Sequence, residues 1–242
     1  MSDKQVNISK YLDSTFLKTS GELGVSNSEL EILVTNFINE AIDYDFKCIM
    51  IRPIFVSLAK KIKDERKSKI NVGTVIDFPL GSNSLQSKIK EAEIAINDGV
   101  KELDFVCDYN TFKMGNYKIF DESIFECTKF ALSNKVIVKW IIETGALSKV
   151  EIKLISERIY NIVLENFPEK ILKVFIKTST GYYGGYGATI MDVKAIKSVI
   201  SNMPIKASGG VSDLATCQEM INLGVSRIGT SKALNIYQEY HS

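Results

Sequence analysis

The feature that most restricts the fold of this chain is a regular alternation of short apolar runs with longer segments of helical periodicity. Eight such pairs follow one another without a linker or a low-complexity insert. The predicted strands are Ser9–Asp13, Phe46–Ile51, Ile70–Phe78, Val100–Cys107, Lys135–Glu143, Leu172–Thr178, Pro204–Ser208 and Ser226–Gly229. The predicted helices are Ser28–Tyr44, Ile54–Arg66, Ser84–Asn97, Asp121–Leu132, Ser148–Phe167, Thr189–Asn202, Asp213–Leu223 and Lys232–Tyr240. Strict alternation implies a parallel sheet, since each helix carries the chain back to the start of the next strand.

Eight strand–helix units of this length predict an α/β fold, a (β/α)8 TIM barrel. The 242 residues are 45% apolar, which is enough for one large core, so we expect residues 1–242 to form a single TIM-barrel domain. A doubly wound open sheet is the alternative. However, the first predicted strand is not followed by the G-x-G-x-x-G motif that usually accompanies that fold. In a barrel, the active-site loops follow the carboxyl ends of the strands.

Charge and hydropathy exclude two classes of partner. The chain has 30 Lys+Arg against 29 Asp+Glu, and its most basic run, Lys60–Lys69, also contains acidic residues, so we expect no nucleic-acid partner. No window approaches the roughly 18 apolar residues that span a bilayer, and the N-terminus lacks an apolar signal core. We therefore expect no membrane association and a cytoplasmic location.

Few side chains are suited to metal binding or nucleophilic catalysis. The four cysteines, Cys48, Cys107, Cys127 and Cys217, are widely spaced and form no C-x-x-C pair, so we expect reduced thiols and no zinc site. The single histidine, His241, is next to last, which argues against His-based triads, dyads and metal centres. The chemistry is therefore expected to rest on lysines, carboxylates and hydroxyls, without a metal.

The stretch Ile171–Gly187, ILKVFIKTSTGYYGGYG, combines a predicted strand that ends on Lys177 with a glycine-rich loop. Two interpretations are open. Lys177 is either a solvated lysine that closes a strand or a desolvated amine that forms a Schiff base with a carbonyl substrate. In the second case, the backbone N–H groups of the following loop can hold an anion.

Strand alternation places further charged residues in the predicted barrel interior. The helix-facing side of each strand must be apolar, so Asp104, Lys139, Lys177 and Lys206 are predicted to point into the lumen. Alternate strands contribute to common layers, which brings Asp104 and Lys177 to one level. Buried charges are costly unless they pair. A buried Asp–Lys pair that only fixes the strand register is the structural alternative to a catalytic cluster.

The sequence resembles the deoxyribose-phosphate aldolases from about Tyr11 to Ala233. The matching segments, in order, are YLDSTFLK, FKCIMIRP, VIDFPLGSN, KELDFV, VKWIIETGAL, IKTSTG with GAT, IKASGGV and RIGTS. The resemblance implies a class I aldolase on a TIM barrel. Such an enzyme reversibly cleaves 2-deoxy-D-ribose 5-phosphate to acetaldehyde and D-glyceraldehyde 3-phosphate without a metal or an organic cofactor. Barrels of this type are often dimers, so we expect a homodimer.

The resemblance implies that Lys177 is the Schiff-base lysine, Lys206 the neighbouring cation and Asp104 the proton-transfer carboxylate. A nucleophilic lysine must be neutral, although its ordinary pKa is about 10.4. Lys206, one strand away at about 5 Å, disfavours a second positive charge and so lowers the pKa of Lys177. Lys139, beside Asp104, is expected to assist the proton exchange.

Three further residues are expected to support the site. Asp13 and Thr180 are predicted to be hydrogen-bonding partners in the site. Cys48 lies near a cysteine position of the family, but a buried structural thiol is the expected role.

The loops after the seventh and eighth predicted strands predict a phosphate site, since phosphate commonly binds there in TIM barrels. Gly209 and Gly210 let backbone N–H groups approach a dianion, and Gly181 is expected to complete the ring of donors. Ser231 is expected to open the final helix and to donate through its hydroxyl and amide. Lys232 stands where the family usually has a second serine. The structural alternative is that the paired glycines only form a tight turn.

The substrate-facing rim departs from the family pattern. Arg52 and Asp77 replace smaller residues, and the loop Gly181–Gly187 carries three tyrosines and one additional residue. Two other functions are therefore kept open. One is a Schiff-base aldolase for a longer or differently oxidised sugar phosphate, and the other is a non-catalytic barrel that binds a phosphorylated metabolite.

Overall fold

A closed barrel of parallel strands in sequence order forms the centre of the protein, as seen in a computed structural model that describes residues 7–242. Leu12 pairs with Ile228, so the last strand joins the first. The predicted TIM barrel is confirmed, and the open-sheet alternative is wrong. The strands are β1 Leu12–Phe16, β2 Cys48–Ile51, β3 Asn71–Ile76, β4 Glu102–Val106, β5 Ile137–Ile141, β6 Val174–Lys177, β7 Ile205–Ser208 and β8 Arg227–Thr230.

Helices surround the barrel and connect the strands. Within residues 7–242 they are α1 Ser20–Leu23, α2 Asn27–Asp43, α3 Val56–Glu65, α4 Leu85–Asn97, α5 Tyr109–Lys113, α6 Tyr117–Ser133, α7 Lys149–Asn166, α8 Ile190–Lys197, α9 Leu214–Asn222 and α10 Ala233–His241. Short 3-10 helices lie at Ile8–Lys10, Pro53–Phe55, Thr144–Ala146 and Pro168–Lys173. In this described part of the chain, none of the helices has the length and apolar character needed to cross a membrane.

Local sequence fixes the start of several helices. Before α2, the Ser26 hydroxyl accepts from the Glu29 amide at 3.2 Å, and the Glu29 carboxylate accepts from the Ser26 amide at 2.8 Å. The same reciprocal pair, Ser148 with Glu151, starts α7. Each capping box satisfies donors that a helix leaves free at its first turn. From there, α2 buries the apolar stripe of Leu30, Val34, Ile38 and Ala41.

The hydrophobic core lies between the outer face of the barrel and the helices. Trp140 of β5 is fully buried, stacks on Phe105 of β4 at 5.1 Å between ring centroids and donates to the Thr128 hydroxyl of α6 at 3.0 Å. Inside the barrel, Gly73 leaves room for larger neighbours. A Cβ at Gly73 would lie 2.5 Å from the Met50 sulfur. The interior holds a small apolar cluster that includes Cys48, Met50 and Val75 as well as charged side chains, and the larger apolar core lies around the outside of the barrel.

The structure corrects the predicted first strand. Residues 8–10 form a 3-10 helix, and β1 begins only at Leu12. Its sequence, LDSTF, lacks apolar alternation because Asp13 faces the charged interior. The predicted helix Thr189–Asn202 is also too long, since α8 ends at Lys197. Two short helices, α1 and α5, were not predicted, because four or five residues are too few to show a period.

Candidate active site

Four charged side chains from four consecutive strands, β4 to β7, meet inside the barrel. Lys177 is the last residue of β6 and pairs in register with Lys206 of β7. Asp104 of β4 pairs in register with Lys139 of β5. Their side chains are at most 4% exposed to solvent. The inward orientation that strand alternation predicted is therefore present, and the four side chains are in contact.

Asp104 is the centre of this cluster. Its Oδ2 lies 2.8 Å from Nζ of Lys177 and 2.8 Å from Nζ of Lys206, and its Oδ1 lies 2.7 Å from Nζ of Lys139. Burial alone would raise the pKa of Asp104, but the three lysines outweigh it and hold the pKa well below the usual range of a carboxyl. Asp104 is therefore ionised and can accept a proton.

Lys177 is poised to be a nucleophile. Burial lowers the pKa of Lys177 to about 8, and Lys206 and Lys139 add to this effect, whereas Asp104 opposes it. Burial is the largest cause, so the predicted influence of Lys206 is present but secondary. Near pH 8, about half of the Lys177 side chains carry the free amine that attacks a carbonyl.

A second layer of charges lies directly against this cluster. Arg227 of β8 donates to Oδ1 of Asp13 at 2.6 Å and to Oε2 of Glu102 at 2.8 Å. Oδ2 of Asp13 lies 2.7 Å from Nζ of Lys206, and Oε2 of Glu102 lies 2.7 Å from Nζ of Lys139. Both oxygens of Asp13, a predicted hydrogen-bonding partner in the site, therefore lie against cations in the interior.

Sequence reasoning did not single out Arg227. It lies in a predicted strand, where an arginine usually faces solvent. Its partner Asp13 is 214 positions away. The alternation that points Lys206 of β7 into the barrel could also have suggested that Arg227, its partner in register on β8, points inward.

Cys48 completes this layer and lies close to two of its carboxylates. The Cys48 sulfur, one carboxylate oxygen of Asp13 and one of Glu102 all lie within 4.8 Å of one another. Burial, with help from Glu102 and Asp13, raises the pKa of Cys48 well above its ordinary value, so the thiol stays protonated. The two carboxylates already pair with Arg227 and Lys139. A divalent cation would have to displace these cations, and a buried structural thiol fits the surroundings of Cys48.

Glu143, at the end of β5, fixes the loop that follows Lys177. It adopts a left-handed backbone conformation with φ of 56° and is 1% exposed. Its Oε2 accepts from both the amide and the hydroxyl of Thr180, and the Thr180 hydroxyl in turn accepts from the Tyr182 amide at 3.0 Å. Thr180, a predicted hydrogen-bonding partner in the site, thus holds its own loop in place. Sequence reasoning missed Glu143, because a glutamate at a strand end is usually solvated.

The glycine-rich loops after β6 and β7 are in backbone contact. Gly181 and Gly209 have φ of 82° and 87°, which side-chain-bearing residues rarely adopt. A Cβ at Gly187 would lie 2.2 Å from the Gly209 carbonyl oxygen, and one at Gly209 would lie 3.3 Å from Cα of Gly181. Gly210 has φ of 75° and open space around it. The three predicted phosphate-site glycines are therefore grouped at one part of the barrel mouth.

The expected role of Ser231 as the residue that opens the final helix is wrong. Helix α10 begins at Ala233 with Lys232 as its N-cap, and no side chain caps it. The cause is Thr230, whose hydroxyl accepts from the Lys232 amide at 2.9 Å and donates to the Val211 carbonyl at 2.6 Å. This bond closes a turn at residues 230–232. The side chains of Ser231 and Lys232 are exposed next to the β7 loop.

Arg52 lies at the barrel mouth, whereas Asp77 does not face it. Asp77 is buried, lies 3.4 Å from Nζ of Lys88 on α4 and accepts from the Asn83 amide, so it packs under the loop after β3. Arg52 donates to the Leu17 carbonyl at 2.7 Å. The Tyr182 hydroxyl donates to the same carbonyl at 3.2 Å. Arg52 and Tyr182 therefore meet on one side of the barrel mouth.

Comparison with known proteins identifies the relatives of this chain, although no family model matches it. It is 37% identical over 235 residues to the deoxyribose-phosphate aldolase of Mycoplasmopsis pulmonis (strain UAB CTIP), with 96% of each chain covered. It is 36% identical over 239 residues to the deoxyribose-phosphate aldolase of Thermoanaerobacter sp. (strain X514), with 98% of each covered.

Solved structures agree. A tetrameric deoxyribose phosphate aldolase from Aeropyrum pernix superposes with a TM-score of 0.79 at 25% identity, covering 97% of this chain and 91% of that one. The homodimer expected from the sequence stays a prediction. Since relatives above one-third identity match nearly the whole length, the chain belongs to the deoxyribose-phosphate aldolase family.

Proposed function

We propose that this protein is a class I aldolase that reversibly cleaves 2-deoxy-D-ribose 5-phosphate to acetaldehyde and D-glyceraldehyde 3-phosphate. The observation that carries the proposal is the environment of Lys177, a buried amine 2.8 Å from an ionised Asp104 and paired in register with Lys206. In this proposal, Lys177 forms the Schiff base, Lys206 helps to keep it neutral and Asp104 moves protons. The relatives named above carry the same activity in their names.

The reaction begins with attack of the neutral Lys177 amine on the aldehyde carbon of the open-chain sugar. The carbinolamine loses water to give an iminium ion, which withdraws electrons from the neighbouring carbon. Loss of the proton from the C3 hydroxyl then breaks the C2–C3 bond and releases glyceraldehyde 3-phosphate. The electron pair of that bond remains as an enamine on Lys177. Protonation of the enamine carbon and hydrolysis release acetaldehyde and the free amine.

Asp104 is suited to exchange these protons. Its carboxylate contacts the reacting nitrogen of Lys177 and is held in place by Lys139 at 2.7 Å and Lys206 at 2.8 Å. A fixed carboxylate within hydrogen-bond reach of the reacting group is the geometry that general acid–base catalysis requires. Lys139 has a different role from Lys177. Burial alone would lower the pKa of Lys139, but Asp104, Glu102 and Asp13 outweigh burial and raise it, so Lys139 stays charged.

The substrate phosphate is proposed to bind at the grouped loops after β6, β7 and β8. Gly181, Gly209 and Gly210 are left-handed there, a conformation in which successive backbone N–H groups can hold an anion, and a Cβ at Gly210 would meet no atom within 4 Å. The exposed Lys232 and Ser231 lie at the edge of this site and offer an ammonium and a hydroxyl. The Thr230 hydroxyl is not free to join them as a donor, because it donates to Val211.

An activity assay tests the proposed function. The protein is incubated with 2-deoxy-D-ribose 5-phosphate, and both aldehyde products are measured. In the reverse direction, acetaldehyde is offered with a panel of acceptor aldehydes that includes glyceraldehyde 3-phosphate and longer or oxidised sugar phosphates. A preference for a longer or oxidised sugar phosphate would favour the alternative, a Schiff-base aldolase with a different substrate. Arg52 at the barrel mouth is the residue that motivates this alternative. No turnover and no borohydride-trapped lysine would favour a non-catalytic barrel.

Replacing Lys206 is expected to move the acidic limb of the pH–rate profile to higher pH. Lys206 disfavours a second positive charge, so its removal raises the pKa of Lys177 and leaves less free amine at neutral pH. The measurement is kcat/KM of the Lys206→Leu variant from about pH 5 to 10, which reports free-enzyme pKa values. An unmoved acidic limb would show that burial alone tunes Lys177.

Replacing Lys232 by serine is expected to raise KM for the phosphorylated substrate, with little change in kcat. The Lys232 ammonium is exposed, so its attraction to the phosphate is screened over a Debye length of about 8 to 10 Å. The difference from wild type is therefore expected to shrink as salt is added. Deoxyribose without phosphate serves as the control substrate. Equal losses on both substrates would show that Lys232 acts through the fold.

A further inference from the structure

Six buried side chains in the barrel interior form a closed ring of alternating charge, which we call the charge ring. Successive charged atoms lie 2.5 to 2.8 Å apart all the way round. No side chain of the ring is more than 4% exposed. In order, the members are Lys139, Glu102, Arg227, Asp13, Lys206 and Asp104, which again contacts Lys139.

The charge ring is neutral without Lys177. It contains three cations, Lys139, Arg227 and Lys206, and three carboxylates. Lys177 lies outside the ring and joins it at one point, through Oδ2 of Asp104 at 2.8 Å. A proton on Lys177 therefore adds a fourth cation beside a ring that has only three carboxylates. Uncompensated charge is costly where water cannot solvate it.

We propose that Arg227, Glu102 and Asp13, the three ring members separated from Asp104 by a lysine, are positioning residues. With them in place, the ring and Lys177 together are neutral only when Lys177 has lost its proton. The proposal rests on the proposed function, because it explains how the Schiff-base lysine is kept nucleophilic. It assigns a role to Arg227 and Glu102 beyond the three catalytic candidates. Burial lowers the pKa of Lys177, and the neutral ring adds an electrostatic cause.

Several titratable groups face Lys177, and they are consistent with this charge balance. Asp104 contacts it from β4, while Lys139 and Lys206 lie on the flanking strands β5 and β7. Glu143 faces it from the mouth and forms no salt bridge with the ring among the described residues. Burial raises the pKa of Glu143 and so favours its neutral form, while the hydrogen bonds from Thr180 and the charge of Lys177 oppose this.

The groups that face the ring from its other side also leave its charge unchanged. The Cys48 thiol on β2 stays protonated, since burial raises its pKa. The neutral amide of Asn71 on β3 donates to Glu102 at 2.7 Å. Burial raises the pKa of Glu102, but Lys139 and Arg227 outweigh it and lower the pKa to about 2, so Glu102 carries its charge at neutral pH.

Two single variants with opposite charge changes test the proposal. Glu102→Gln leaves the ring with one excess cation, so we expect the acidic limb of the kcat/KM profile to move to lower pH. Arg227→Met leaves one excess carboxylate, so we expect that limb to move to higher pH. A unit charge about 10 Å away in a medium of dielectric constant about 20 moves a titration by about one pH unit. Shifts of this size in opposite directions are the expected result.

The double variant Arg227→Met/Glu102→Gln restores neutrality. Its acidic limb is expected to return to within a few tenths of a pH unit of wild type. Merely structural residues would instead give losses without opposite shifts, and the double variant would be worse than either single one. Unmoved limbs, or two shifts in the same direction, would overturn the proposal.

Matched controls separate charge from folding. In Arg227→Met, Asp13 keeps Lys206, and Glu102 keeps Lys139 and Asn71, so each carboxylate retains a partner. If Arg227→Met does not fold by circular dichroism, Glu102→Gln and the double variant still decide the outcome. The charge-conserving Arg227→Lys is expected to keep the wild-type limb. Arg158→Met removes an arginine from a half-exposed ion pair with Asp121 and is expected to leave the limb unchanged.

A second measurement distinguishes failure of this proposal from failure of the proposed function. The titration of Lys177 is followed directly by NMR of isotope-labelled lysine side chains, assigned with the Lys177→Leu variant. This readout needs no turnover. If wild type forms no Schiff base but the variants still move the Lys177 titration in opposite directions, the charge ring is upheld and the aldolase function is wrong. Turnover with a Lys177 titration that none of the variants moves would uphold the aldolase function and overturn the role of the charge ring.

Discussion

Replacing Lys177 by leucine is expected to abolish turnover, because the amine that forms the covalent intermediate is removed. Loss of a covalent nucleophile costs on the order of 10⁶ in kcat in a well-studied protease, and a loss of at least about 10⁴ is expected here. Leucine has a similar volume, and Lys177 is 4% exposed, so the substitution fills the same buried space. It also removes the one cation that the charge ring does not need, and the variant is therefore expected to fold.

Trapping the intermediate identifies the covalent residue. Treatment with acetaldehyde and borohydride is expected to attach a two-carbon group to a single lysine. Peptide mass spectrometry is expected to find this adduct in the peptide that contains Lys177. Lys139 and Lys206 are internal controls, since both lie in the same interior and contact the same Asp104. Lys139 has a raised pKa, so it remains protonated and unreactive. An adduct on Lys139 or Lys206 would contradict the assignment of Lys177.

Replacing Asp104 is expected to have the second largest effect, a loss of about 10² to 10⁴ in kcat, which is typical of general acid–base groups. Asp104 opposes the lowering of the Lys177 pKa, so its removal leaves Lys177 more fully neutral. A slow reaction in this variant therefore cannot be ascribed to a protonated nucleophile. We expect the borohydride adduct on Lys177 to persist while turnover falls.

Proton exchange measures the function of Asp104 directly. In deuterated water, NMR follows the replacement of methyl protons of acetaldehyde, which requires an enamine that is reversibly protonated. Asp104→Leu is expected to slow this exchange. Removing one member of a buried ion pair costs about 3 to 5 kcal/mol, so Asp104→Asn, which keeps the shape and a hydrogen bond, is the matched variant. Exchange at the wild-type rate in both variants would make Asp104 a structural ion-pair member.

The barrel could be predicted from the sequence because its signal is repeated. Each strand buries its outer face, so an apolar run recurs in each unit from β2 to β8. A misplaced boundary does not change the number of strand–helix units. The error at β1 has a physical reason. Asp13, Ser14 and Thr15 give that strand too little apolar character to be located, although Leu12 pairs correctly with β8.

The site was predictable only where strand alternation and residue type agreed. Asp104, Lys139, Lys177 and Lys206 stand on the inward face of strands whose outward residues are apolar, so their convergence follows from the barrel alone. Glu143 lacked such a signal, and for Arg227 strand alternation could indicate only an inward direction, not its partners. The role of Arg227 depends on partners in β1 and β4, and that of Glu143 on a left-handed turn that meets Thr180. These contacts arise only after the barrel closes.

The contact between the glycine loops has a consequence for the entropy of binding. Ala188 donates to the Gly209 carbonyl at 2.9 Å, and Gly187 leaves no room for a Cβ beside it, so the loops after β6 and β7 are joined before any ligand arrives. If these loops were flexible, phosphate binding would have to order them, and the lost conformational entropy would weaken the affinity for the phosphate. Here the amides around Gly181 and Gly209 are already in place. Folding therefore orders these loops in advance, so phosphate binding does not have to. A side chain at Gly187 would push the two loops apart and weaken phosphate binding, although it would not touch the phosphate.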